Sequence, residues 1–281
     1  MTKNFNEAQF GAMRTAFLTA FPKIFTDIDY SIDFFSKMKN LATKKGFAFM
    51  PSHFTNEMAI EIEARHKALN KDLQKNITKD TLVIEIACGI SPRRLEFKDY
   101  EYAELDFKPV IEIKKDIYKS LGFSNLTNSL FEVDLADTQE LRKSLKKVLK
   151  TKTYKNVVVL NEGLFWYLTK DEIRNMTNEI SLALKDIDWK WITSDCPTLS
   201  KLDANYRSII ADSAKVKRGT FADYQDFTVF FDELCLKNSS YKLSNFVKVK
   251  DLSSANLFAV SEEQTLNRIN TYTDISILSK K

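Results

Sequence analysis

From Thr81 onward short apolar runs alternate with helix-length segments, and this alternation constrains the fold more than any other feature of the chain. The runs are TLVIEIA from Thr81, YAEL from Tyr102, SLFEV from Ser129, NVVVLN from Asn156 and WKWITS from Trp189. Each is too short for a buried helix, and the connections are too long for hairpins. Strand and helix in alternation predict a mostly parallel sheet with helices on both faces. Helix starts are marked as well: Asp137 with Glu140 and Thr169 with Glu172 fit a capping box, and Pro197 suits the first turn of a helix after SDC. A helix near Phe231 to Lys237, a strand-like YKLSNFVKV from Tyr241, a helix near Glu262 to Asn270 and a final TDISILS from Thr273 complete the pattern. The expectation is α/β, a Rossmann-like sheet of seven strands.

Before Thr81 the grammar differs. Phe10, Met13, Phe17 and Phe21 recur at the spacing of an amphipathic helix that Pro22 is expected to end, and helices are expected at about Ser31 to Lys44 and Thr55 to Lys75. The chain therefore divides into a helical cap over residues 1–78 and a sheet-containing core over 79–281.

Several function classes are disfavoured. Lys and Arg exceed Asp and Glu by only 42 to 38, so no global field draws the chain to nucleic acid or to an anionic membrane. The basic run LRKSLKKVLKTKTYK from Leu141 places its lysines around leucines at helical spacing, which is the pattern of a solvated face. Cys88, Cys196 and Cys235 stand far apart, and His53 and His66 are the two histidines, so neither a zinc site nor a disulfide framework is expected. No apolar run reaches the ~18 residues needed to cross a bilayer, and the amino terminus does not read as a signal peptide. A soluble, cytoplasmic protein is the expectation.

In a wound sheet the ligand sits beyond the carboxyl ends of the strands. There the sequence offers Ala87-Cys88-Gly89 followed by Arg93 and Arg94, then Glu104 and Asp106, then Asp134-Leu135, then Asn161-Glu162-Gly163. Three successive strand ends carry acids. A phosphate needs backbone N–H groups and tolerates no wall of carboxylates. This rim suits a ribose, an adenine and a positive centre, which S-adenosylmethionine combines.

The same stretches resemble class I S-adenosylmethionine-dependent methyltransferases, and within them the leucine carboxyl methyltransferase-like group that includes polyketide O-methyltransferases. The resemblance spans roughly Arg65 to Trp189 and rests on IEIACGISPR, YAELDF, VDLAD and NEGLFWYLTKDE. It implies that Gly89 lies under the methionine and ribose and that Asp106, or Glu104, binds the ribose hydroxyls. It implies further that Asp134 and the Leu135 N–H meet the adenine, that Glu162 lies near the methionine end and that Arg65 pairs with the cofactor carboxylate. S-adenosylhomocysteine is the implied product, and the acceptor a carboxylate or hydroxyl of a small molecule or peptide. Two positions depart from the family pattern: Ala87 stands where the first glycine of Gly-x-Gly is usual, and Lys108 precedes Pro109.

Glu85, inside an apolar strand, needs a partner such as N–H groups of the following turn or the cofactor amino group, the alternative being a purely structural buried pair. If the acceptor is a hydroxyl, His66, Asp195 and Tyr206 are the candidate bases. A nicotinamide dehydrogenase is disfavoured because the first turn lacks GxGxxG. A binding protein that keeps the fold without catalysis is the other alternative, motivated by Ala87.

Overall fold

The structure, a computed structural model, describes residues 7–44, 54–196, 221–272 and 274–281. Pro197, Tyr206, His53 and most of the segment 198–228 lie outside the described residues.

Among the described residues seven strands form one sheet: β1 (Thr81–Ile86), β2 (Glu101–Asp106), β3 (Leu130–Glu132), β4 (Asn156–Asn161), β5 (Asp188–Thr193), β6 (Leu236–Lys242) and β7 (Asp274–Lys280). Their spatial order is β3-β2-β1-β4-β5-β7-β6. The first five are parallel, and β7 runs antiparallel to β5 on one side and β6 on the other. The order reverses between β1 and β4, which opens a crevice at the carboxyl ends of those two strands.

Alternation along each strand decides what covers it. Leu82, Ile84 and Ile86 of β1 join Val157 and Val159 of β4 in one core, beneath α6 (Thr138–Leu149), α7 (Lys170–Ala183) and α8 (Tyr224–Glu233). Val83, Val158, Leu160 and Ile192 face the other way, against Ile60, Ala64, Ala68 and Leu73 of α3 (Asn56–Asn76) and Ile269 of α9 (Glu262–Tyr272). A third cluster binds α1 (Glu7–Lys23) and α2 (Ser31–Lys44) to α5 (Lys108–Ser120): Phe17, Ala20, Phe34 and Met38 pack with Val110, Ile113, Ile117 and Tyr118. Full burial of each such side chain contributes about 1.5–3 kcal/mol.

Helix α7 has the capping box, with Thr169 and Glu172 satisfying each other's backbone. At α6 only half of the expected box forms. Asp137 caps the N–H groups of Gln139 and Glu140, but the Glu140 carboxylate accepts from Asp134 N instead of Asp137 N. The lysines of α6 point outward while Leu141, Leu145 and Val148 are buried.

Two expectations at the carboxyl end are corrected. The helix before the sixth strand ends at Glu233, short of Lys237, and Cys235 at φ 60° turns the chain. The strand itself is LKNSSYK, not YKLSNFVKV. As the sheet edge, β6 buries only Leu236 fully, so its sequence lacks an apolar pattern, while Leu243 and Val247 bury themselves from short turns after it. At the other end, Pro22 lies inside the last turn of α1 and the helix continues to Lys23. Among the described residues no helix is long and apolar enough to cross a membrane.

Candidate active site

The first turn is tied to its neighbours by backbone donors. Cys88 N donates to Leu105 O at 3.2 Å and Gly89 N to the Asp106 carboxylate at 2.7 Å, fixing the end of β1 to the end of β2. Asp106 also accepts from Phe107 N at 2.7 Å, while Val133 N donates to Asp106 O at 2.9 Å and brings in the turn after β3. Burial pushes the Asp106 carboxyl up to about 6, against the pull of the two N–H groups. Gly89 has φ 52°, and no atom lies within 4 Å of where a Cβ would stand on it. Ala87 has φ 52° as well. Alanine here keeps the left-handed turn that glycine makes without strain, at a cost of about 1–2 kcal/mol.

Glu104 and Asp106 share a face of β2 but not an environment. Glu104 is fully buried, with its carboxylate 2.5 Å from the Lys114 ammonium and 2.8 Å from the Tyr118 hydroxyl, both on α5. Of the two ribose candidates Glu104 is therefore committed to holding α5, and Asp106 is the one at the strand's end. Asp134 is half-buried and its carboxylate accepts from Ala136 N at 3.0 Å, which shapes the turn that buries Leu135.

Glu85 forms the buried pair that is one of its two expected roles: Arg93 Nη1 lies 2.5 Å from one oxygen and Tyr102 OH 2.7 Å from the other. Arg93, the first residue of the short helix α4 (Arg93–Glu96), is completely buried and its donors reach in four directions. Besides Glu85 they meet Asn70 Oδ1 at 2.6 Å, Glu162 Oε2 at 2.7 Å and His66 Nδ1 at 3.2 Å. His66 Nε2 and Asn70 Nδ2 in turn reach Glu96, at 2.7 and 2.6 Å. Burial, with Arg93 next to it, lowers the His66 pKa, so the imidazole is neutral: Nδ1 accepts from Arg93 and Nε2–H donates to Glu96. Neither ring nitrogen is left to act as a base.

In the turn just after β4, Glu162 closes the network. Arg65 Nε donates to its Oε1 at 3.0 Å and Arg93 Nη2 to its Oε2. Against the cost of burial, Lys23, Arg65 and Arg93 hold the Glu162 carboxyl well below the usual range. The turn that carries it is fixed by Asp195, beyond β5, which accepts from Asn161 Nδ2 at 2.6 Å and from the N–H groups of Gly163, Leu164 and Phe165 at 2.6, 2.5 and 2.9 Å. With four donors on its two oxygens, Asp195 holds the turn and is not a free base.

The structure thus brings Arg65, Glu85, Gly89, Asp106, Asp134, Leu135 and Glu162 to adjacent strand ends and turns Glu104 away under α5. Lys23, Asn70 and Tyr102 are members of the same neighbourhood that the sequence did not single out. Tyr102 was findable, because pairing Val83 with Tyr102 puts its side chain on the same face as Glu85. Asn70 sits four residues after His66, the helical spacing for a shared face. Lys23 carries no such signal.

A model of the leucine carboxyl methyltransferase family matches residues 29–181. The fold is similar to that of a candidate methyltransferase from Thermobifida fusca YX, with TM-score 0.55 and 11% identity over 90% of this chain and 89% of that one. A candidate O-methyltransferase from Nostoc punctiforme PCC 73102 is similar at TM-score 0.49 and 13% identity, over 89% of this chain and 72% of that one. At 11% identity the likeness to the Thermobifida fusca protein is one of fold alone. No curated protein matches the sequence.

Proposed function

The chain belongs to the leucine carboxyl methyltransferase family, and from that premise we propose that it is an O-methyltransferase that uses S-adenosylmethionine to methylate a carboxylate or hydroxyl of a small molecule or peptide. The observation that carries this reading is the tie between Gly89 and Asp106 beside open space above the glycine backbone. It leaves an acid at the end of β2 and an unobstructed turn at the end of β1, as a ribose with an attached amino acid requires.

The residues present fit such a ligand. Asp106 would accept from the ribose hydroxyls, the Asp134–Leu135 turn would meet the adenine, and Glu162 with Arg65 would border the methionine end. When bound, S-adenosylmethionine supplies an electrophilic methyl on a sulfonium, with S-adenosylhomocysteine as product. The protein's part is to hold donor and acceptor in line, and orientation of that kind lowers a barrier by roughly 7–11 kcal/mol at most. His66 and Asp195 both spend their polar atoms on neighbours. Among the described residues neither candidate base is free, which supports an acceptor already ionised at neutral pH, a carboxylate, over one that must lose a proton. The free thiols of Cys88, Cys196 and Cys235 suit a reducing compartment such as the cytoplasm.

Calorimetry with S-adenosylhomocysteine tests the reading. Binding by the wild type that is weakened in Asp106→Ala and Glu162→Ala supports it; a wild type that binds nothing sinks it.

A further inference from the structure

Helix α9 packs on α3 through Ile269, which shares a core with Ile60 and Ala64. From α9, Arg268 reaches the amino-terminal half of α3, where its Nη2 lies 2.9 Å from Glu61 Oε2. Glu61 is 4% exposed and the Arg268 side chain 17%. One helical turn further along α3, Arg65 Nη1 stands 3.8 Å from the other Glu61 oxygen, while Arg65 Nε donates to Glu162 Oε1 at 3.0 Å. Charges therefore alternate without a break from α9 to β1: Arg268, Glu61, Arg65, Glu162, Arg93 and Glu85. Arg268 reaches the methionine end of the site at one remove, through Glu61.

The distances along this chain are unequal, and that decides what Arg268 does. Glu61 holds Arg268 at 2.9 Å and Arg65 at 3.8 Å. Arg65 has two carboxylates within reach and makes its hydrogen bond to Glu162. A buried carboxylate is costly unless a cation or donors pair with it. With Arg268 in place Glu61 has its cation, and Arg65 is left to Glu162. Without Arg268, Glu61 draws Arg65, which follows it at i,i+4 in the favourable order for such a pair and can close on it without backbone movement. Arg65 then turns away from Glu162, where the methionine end of the ligand is expected.

We propose that Arg268 is a positioning residue for Arg65: by pairing with Glu61 it keeps Arg65 on Glu162. The consequence for a bound cofactor rests on the methyltransferase reading, whereas the orientation of Arg65 does not.

That orientation is read without ligand, by NMR of the arginine Nε–H groups in the full-length protein, with the Arg65 signal assigned by its loss in Arg65→Lys. In the wild type this N–H is expected to exchange slowly with solvent, as a buried donor to Glu162. Arg268→Met is expected to shift the signal and speed its exchange. Glu61→Gln/Arg268→Met is expected to restore both, because no carboxylate remains on α3 to draw Arg65 away. An Arg65 signal unmoved in Arg268→Met, or moved alike in the double variant, overturns the proposal. Should Arg268→Met not fold, Arg268→Gln, which keeps a donor toward Glu61 without the charge, takes its place with the same outcomes.

Calorimetry on the same proteins carries the effect to the site. Arg268→Met is expected to lose about tenfold in affinity for S-adenosylhomocysteine, and the double variant to regain it. Affinity for 5′-methylthioadenosine, which lacks the amino-acid part, is expected to stay at the wild-type value in both. Equal losses for the two ligands, or a double variant as weak as the single one, would mark a pair that only holds α9 on α3 and overturn the positioning role. If the wild type binds neither nucleoside, the methyltransferase reading fails by itself, and the Arg65 signal still decides the role of Arg268.

Discussion

Asp106 accepts a hydrogen bond from the Gly89 N–H at 2.7 Å, locking the first turn to the end of β2. The same carboxylate is proposed to receive the ribose hydroxyls, and burial has raised its pKa from 3.8 to about 6. Because the folded pKa is raised, the charged form is the costly one, and that cost is relieved as pH falls from about 6 toward 4. Ligand binding runs the other way, since only the ionised group accepts from both a backbone N–H and hydroxyls. Affinity for S-adenosylhomocysteine is therefore expected to be constant above pH 7 and to fall below pH ~6, up to tenfold per unit. Asp106→Asn should flatten the profile and cost about 1.5–3 kcal/mol of binding at neutral pH. Calorimetry between pH 5 and 8 reads both, and a wild-type profile without the drop counts against Asp106 as the ribose ligand.

Arg93 ties β1 to β4 through Glu85 and Glu162, with no exposure to solvent. Removing it in Arg93→Met leaves two buried carboxylates short of a partner, and a loss of about 3–5 kcal/mol of stability is expected. If the cost comes from the orphaned charge, Glu85→Gln/Arg93→Met loses less than the sum of the single variants. Chemical denaturation of the wild type, the two single variants and the double variant measures this, and strict additivity would show that the pair is not coupled.

This network marks the limit of what the sequence discloses. Strand and helix order is legible because β1 to β5 carry short apolar-rich runs set between helix-length segments and α6 and α7 carry caps. The acids at the strand ends are legible for the same reason: once TLVIEIA and YAELDF are strands, Gly89 and Asp106 must fall at their ends. What each acid touches is another matter. Glu85, Glu104 and Asp106 look alike in sequence, and only tertiary packing shows that Arg93, Lys114 and the Gly89 N–H claim one each. Strand β6 is hidden because, at the sheet edge, packing asks little of its side chains. Lys23 is hidden because nothing in a helix's apolar period marks which lysine turns inward.

Ala87 shows how much local strain the turn tolerates. At φ 52° the alanine Cβ crowds the following carbonyl, which glycine avoids. Ala87→Gly relieves about 1–2 kcal/mol of that strain but adds about 0.4–1 kcal/mol of unfolded-state entropy. A net stabilisation of about 0.5 kcal/mol, with unchanged S-adenosylhomocysteine affinity, is the expected outcome by thermal and calorimetric titration. A clear destabilisation would mean that the Ala87 methyl is wanted for packing, and a large gain in affinity would mean that it narrows the site.

The Glu162 carboxyl is held well below its usual range by Lys23, Arg65 and Arg93 despite burial. For a carboxylate whose folded pKa is depressed, the stabilisation is fully present above the unfolded value near 4.5 and is lost as pH falls through the folded one. The wild type is thus expected to lose stability progressively on acidification below pH ~4.5, with Glu162→Gln showing a shallower loss from a lower starting point. Equilibrium urea titrations at pH 7, 5 and 4 measure it, and parallel curves for the two proteins would show that Glu162 does not carry the acid sensitivity.

Asp195 supports the same acid from beneath, without touching any residue assigned to the ligand. Its oxygens collect the N–H groups of Gly163, Leu164 and Phe165 together with the Asn161 amide. Asp195→Asn replaces one acceptor oxygen with an NH₂ group that confronts those donors, so at least one buried N–H loses its partner, at about 1–3 kcal/mol. The turn after Asn161 then loosens, and Glu162 loses the fixed position that lets Arg65 and Arg93 share it. If Asp195 acts only through that turn, the variant weakens S-adenosylhomocysteine binding while the pH dependence set by Asp106 keeps its midpoint near 6. If Asp195 were instead the base for a hydroxyl acceptor, cofactor affinity would stay at the wild-type value and only turnover would fall, so calorimetry on this one variant separates a positioning role from a catalytic one.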